Sequence, residues 1–159
     1  MKTIENLNVL IENFAEEKRK FKQTAQNSLK NVFKEFFEET PEIKVIKWTQ
    51  CTPYFNDGDA CVFGVHEPTF SNCDDPSLVS DYGELDMGEE EATENGYFAF
   101  EGSWSRPDDL PDHVVKNTNM ISELICSSEM EEVLLAAFDD HVVVTVTRDG
   151  IDVDEYSHD

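Results

Sequence analysis

Beyond Lys47 the chain has almost no positive charge. Arg106, Lys116 and Arg148 are the only basic residues there, against 27 Asp and Glu, whereas the segment up to Lys47 carries 9 basic and 8 acidic residues. The 159 residues together carry a net charge of −23. A field of that sign repels phosphodiesters and anionic lipid head groups, which disfavours direct nucleic-acid and membrane binding and implies a basic partner. Long apolar runs are also missing, and nothing approaches the roughly 18 apolar residues that a membrane-crossing helix needs. The opening MKTIENLNVL lacks the apolar stretch of a secretory leader. Cys51, Cys61, Cys73 and Cys126 fall into no CxxC pair. The expectation from these absences is a cytoplasmic protein with reduced thiols.

Catalytic patterns are absent as well. The chain contains no GxSxG, HExxH, P-loop or dinucleotide-binding glycine motif. Carboxylates are so abundant that the proximity of any two carries no information about acid–base chemistry. His66, His113, His141 and His158 have no partner at a telling spacing. Cys51, Cys61, His66 and Cys73 are acceptable zinc ligands, but their intervals match no ribbon or finger. The sequence therefore assigns no catalytic residue, no metal and no cofactor, and leans away from an enzyme.

What is present suffices for a fold. Hydrophobic residues make up 39% and include eleven Phe, too apolar for a disordered chain, and the length suits one domain over residues 1–159. Residues 1–40 read as helix. Ile4, Leu7, Leu10, Ile11, Phe14, Phe21, Ala25, Leu29, Val32, Phe33 and Phe36 recur at three- and four-residue steps, and Pro41 ends the run. The basic cluster Lys18, Arg19, Lys20 and Lys22 leaves open one helix or a pair. Such a stripe could pack on a sheet or pair with a second copy as a homodimer.

Residues 44–66 read as a β-hairpin turning at NDGD, because Asp-Gly suits the positive φ of a tight turn. Residues 71–96 hold nine acidic and no basic residues and read as an acidic loop. A strand follows at 97–104 and helices over 114–138, the second announced by a Ser128–Glu131 capping box. A second hairpin over 141–156 turns at Asp149-Gly150. The predicted class is α+β, with the long helix and the C-terminal helices on one face of a mainly antiparallel sheet.

Two surfaces are candidates for function. The first is acidic: Asp74, Asp75, Asp81, Glu84, Asp86, Glu89, Glu90, Glu91 and Glu94, with Asp108, Asp109 and Asp112. Net charge of this kind confers solubility without any partner. Arranged as an array, the same carboxylates would imitate duplex phosphates and compete for a basic groove. The second is the Trp48–Asp59 hairpin. Extended backbone would align Trp48, Gln50 and Tyr54, with Asn56, Asp57 and Asp59 at the tip and His66 beyond, as a small-ligand or cation site. The same residues also serve as core and turn without any ligand.

KVIKWTQCTPYFNDGDACVFGVHEP and VLLAAFDDHVVVTVTRDGIDVDEYSHD, a third of the chain together, resemble a family of small proteins from bacteriophages and bacteria. Cys51 departs from the aromatic residue associated with its position. The resemblance transfers no catalytic residue. It implies a setting: a phage or mobile-element protein in the host cytoplasm that redirects or inhibits a basic host nucleic-acid-handling or defence protein.

Overall fold

The computed structural model describes residues 1–55 and 57–158; Asn56 and Asp159 lie outside the described residues. The opening stripe forms one continuous helix, α1 (Lys2–Glu39), with no break at the basic cluster. Thr40 closes it, its backbone N–H reaching Phe36 O, and Pro41 holds Thr40 out of helical geometry. No helix of the described residues is long and apolar enough to cross a membrane.

Six strands among the described residues form one sheet in the order β4-β3-β1-β5-β6, with β2 also on β1. They are β1 (Val45–Cys51), β2 (Gly64–Val65), β3 (Thr69–Ser71), β4 (Ala99–Glu101), β5 (Val142–Thr147) and β6 (Gly150–Glu155). Every pairing is antiparallel. The short helix α2 (Glu89–Asn95) precedes β4, while α3 (Asp112–Ile125) and α4 (Ser128–Phe138) separate β4 from β5. The fold is α+β, and the main core joins α1, α3 and α4 to one face of the sheet.

β1 is the centre of that core because its two faces carry different side chains. Ile46, Trp48 and Gln50 point toward the helices and are fully buried. Trp48 lies between Phe33 and Phe138, at centroid distances of 5.9 and 6.1 Å. Phe36, Phe70 and Phe100 extend the aromatic layer toward the β4 edge. Val45 points the opposite way, into a second cluster with Cys73 and Val79. The acidic segment therefore covers the back of the sheet.

Several local expectations shift. The first hairpin is not tight: Gln50 pairs with Val65 and Cys51 with Gly64, so twelve residues separate the paired strands. Thr52 is diverted from the ladder because its N–H and hydroxyl bond Asp140, and Pro53 has no N–H to offer. The Asp-Gly reading survives at the tip, where Gly58 has φ +85°. Past His66 the chain continues along β1 as β3, with one extra residue at Glu67-Pro68, since Lys47 pairs with Thr69. The second hairpin forms over the predicted span. Thr147 pairs with Gly150, which moves its turn to Arg148–Asp149. The N-cap of α4 is Ser127 rather than Ser128 and makes no side-chain cap bond, so the expected capping box does not form.

Candidate interaction surface

The acidic segment is better ordered than a loop of that composition suggests. Leu78, Leu85, Met87 and Tyr97 are its few apolar anchors, and they pack against the buried Val45, Cys73 and Val79. Lys47 reaches from the back face of β1 to Val79 O at 2.8 Å and to the Asp81 carboxylate at 3.4 Å. Asp75 accepts hydrogen bonds from the Ser77 hydroxyl and N–H, which starts a 3₁₀ turn at Pro76–Leu78 and holds its carboxyl below the ordinary range. Val79 then bridges to Leu85 around Gly83. Gly83 has φ +81°, and a Cβ there would stand 3.0 Å from Glu101 Cβ and 3.1 Å from its backbone nitrogen. Only glycine fits both the geometry and the close approach.

α2 is suspended between such anchors. Glu89, Glu90 and Glu91 occupy its first turn, where carboxylates suit the positive end of the helix. Gly96, at φ +69°, closes it by returning its N–H to Ala92 O and Thr93 O. Asn72 clamps that end: its amide donates to Gly96 O, and its carbonyl oxygen accepts from Phe98 N–H, both at 2.8 Å. Glu90 and Glu94 are one helical turn apart, and at about 6 Å in water two such charges repel by about 0.7 kcal/mol. The clamps hold the helix against that repulsion.

Asp74, Asp75, Glu84, Asp86, Glu89, Glu90, Glu91 and Glu94 are exposed on this segment, while Asp81 is half-buried. Asp108 and Asp109 are exposed on the connector from β4, at the sheet edge, and Asp112 opens α3 in the helical layer. The structure thus gathers nine of the twelve on the back of the sheet and leaves three on the route to its front. Among the described residues, Asp81 is the one member of the twelve paired with a cation.

The hairpin residues are distributed differently. Trp48 Nε1 donates to Gln50 Oε1 at 3.1 Å, and Gln50 Nε2 donates to Leu134 O and Asp139 O at 3.0 and 2.8 Å. Every polar group of that buried amide is consumed in tying β1 to the end of α4. His66 Nδ1 bonds the Thr49 hydroxyl on the other face of β1. Tyr54 stacks on His141 and His158 with centroid distances of 4.9 and 4.3 Å. Asp57 and Asp59 are exposed on the loop, and Asn56 lies outside the described residues. The described members of this candidate site do not converge on one pocket.

Sequence reasoning missed the cluster built around Asp140. Its carboxylate accepts from Thr52 N–H, the Thr52 hydroxyl and His141 N–H. Burial acts to raise this carboxyl, but those bonds outweigh it and hold the group below the ordinary range. His141 Nδ1 and His158 Nε2 are 2.6 Å apart. Tyr156 shares a 2.7 Å hydroxyl contact with Tyr82, which, with burial, pushes its phenol up to about 12. Apart from the Asp140–His141 neighbours, the partners are 17 to 88 residues apart, so no local pattern signals them.

Cys51 and Cys73 are buried, and Cys61 and Cys126 exposed. Burial, then Asp140, raises the Cys51 thiol; burial, then Glu67 and Glu101, raises that of Cys126. Both are held as thiols, the poorly nucleophilic form. Among the described residues no three His, Cys, Asp or Glu converge as a metal ion requires. Comparison with protein-family models, with curated proteins and with solved structures finds no match.

Proposed function

We propose that this is a non-enzymatic binding protein of a phage or mobile element, whose acidic back face occupies the basic groove of a host nucleic-acid-handling or defence protein. The observation that carries the reading is an ordered set of exposed carboxylates left without cations on a clamped support. Solubility alone asks only for charge, and does not call for fixing that charge on a helix held by Asn72, Gly96 and the packing of Met87 and Tyr97. A fixed array meets a basic groove without the ordering cost of a flexible acidic tail. Its attraction is long-ranged, as for nucleic acid itself, and weakens with salt. The resemblance to small phage and bacterial proteins supports placing that partner in a host cytoplasm. Self-association through α1 would add to this, since two copies would present two such faces and gain avidity.

The test is displacement of labelled duplex DNA from a panel of basic host nucleases and DNA-binding proteins. Replacing Glu89, Glu90, Glu91 and Glu94 by Gln is expected to weaken displacement about tenfold or more, a difference of roughly 1.4 kcal/mol. Replacing the exposed Glu123, Glu129, Glu132 and Glu155 by Gln removes the same charge elsewhere and is expected to change it little. Equal losses in both variants would reduce the effect to net charge and sink the reading.

A further inference from the structure

α1 is far longer than the body it packs on. Its 38 residues span about 57 Å, yet its buried residues begin only at Ala25. The projecting part is not polar. Ile4, Leu7, Ile11, Phe14 and Phe21 fall on a seven-residue repeat whose remaining position is Lys18, and each is 50–65% exposed. Only from Ala15 on does the arm border the body, where Ala15, Lys18 and Arg19 face Glu132, Leu135 and Ala136 of α4 across an open pocket. The turns before it would be marginal in water by themselves, and an open apolar stripe of this length is unusual on a monomer.

The stripe does not stop where the body begins. It runs into a groove of about 350 Å³ between α1 and the α3–α4 corner, lined by Phe21, Ala25, Leu29, Leu124, Met130 and Val133 among others. Phe21 belongs to both stripe and groove.

Charge identifies the occupant. Residues 2–21 carry four acidic and four basic groups, so the whole net charge of −23 resides in the rest of the chain. The arm is therefore the part that a second copy can approach without like-charge repulsion. Its charges are also segregated, with Glu5, Glu12, Glu16 and Glu17 preceding Lys18, Arg19 and Lys20. Parallel pairing would stack Lys18 on Lys18 and set two highly acidic bodies side by side. Antiparallel pairing lays the acidic half of one arm along the basic half of the other and puts the bodies at opposite ends.

We propose that two copies of this chain pair their α1 arms antiparallel, each arm tip seating Ile4 and Leu7 in the groove of the other copy. The repeat fixes the register. Ile11 lies opposite Phe21 and Phe14 opposite Lys18, which carries Leu7 to Ala25 and Ile4 to Ser28, along the groove wall. The two-fold axis then passes at Glu16, and Glu12 of each copy lies opposite Lys20 of the other, carboxylate against ammonium. This inference rests on the arm and the groove, and stands independently of the acidic-face reading.

Sedimentation equilibrium of the full chain at about 50 µM is expected to give twice the 18.2 kDa chain mass. An amine cross-linker is expected to join Lys2 to Lys30, residues about 42 Å apart along one helix and level with each other only in the antiparallel pair. Leu7→Asp with Phe14→Asp is expected to restore the single-chain mass and abolish the Lys2–Lys30 link while the Trp48 near-ultraviolet signal persists. A native chain that stays at 18.2 kDa, a dimer indifferent to those two substitutions, a cross-link restricted to Lys2–Lys2, or association seen only with added anionic vesicles would each overturn the proposal.

Discussion

Glu101 shows how one side chain records its surroundings. Burial raises its carboxyl, Glu67 raises it further and His66 partly opposes the rise. Its folded-state value lies above the ordinary carboxylate value of about 4.3, so folding is favoured when the group is neutral. That contribution is complete below about 4.3 and is lost as pH rises through the raised folded value. Glu101→Gln is therefore expected to raise Tm at pH 7, with the gain shrinking as the pH approaches 4.3, as read by thermal melts across that range. A variant less stable than the native chain at pH 7 would show that the carboxylate is favourably held. Gln50 is the converse case, a buried amide whose every polar atom is satisfied, as its reading as core rather than as the alternative ligand position has it.

At the scale of elements, α2 depends on its clamps more than on its own seven residues, because a helix this short does not persist alone. Asn72→Ala removes the bond to Gly96 O and leaves Phe98 N–H, half-buried, without its acceptor. A loss of about 1–2 kcal/mol is expected, with amide hydrogen exchange accelerating across residues 88–98 while β1 and β5 stay protected. Uniform acceleration would mean that the acidic segment unfolds only with the whole domain. The element boundaries that the sequence revealed best are those of α1, α4 and the β5–β6 hairpin, where periodicity or turn chemistry is contained within each run. The first hairpin misled because what opens it is Asp140, 88 residues away.

Over the whole molecule, the net charge of −23 is an unfavourable term in the folded state, since folding gathers the carboxylates into a smaller volume. Raising NaCl from 0.1 to 1 M shortens the screening length from about 10 Å to about 3 Å. Tm is expected to rise over that range. A fall would mean that favourable ion pairs outweigh the repulsion, contrary to the few cation partners among the described carboxylates. The charge is also partitioned by architecture, with α1 packed on one face of the sheet and the acidic segment on the other.

The sequence alone determined the α+β class, the helical stretch ending at Pro41 and the imbalance of charge, because each is a local periodicity or a sum over residues. Tertiary structure decided which face each side chain serves. It sent Trp48 and Gln50 inward, brought Asp140 to Thr52, ordered the acidic segment on the back of β1 and left the apolar stripe Ile4, Leu7, Ile11 and Phe14 of α1 exposed. Those outcomes depend on contacts between residues far apart in the chain, whose free energy exists only once the sheet has assembled.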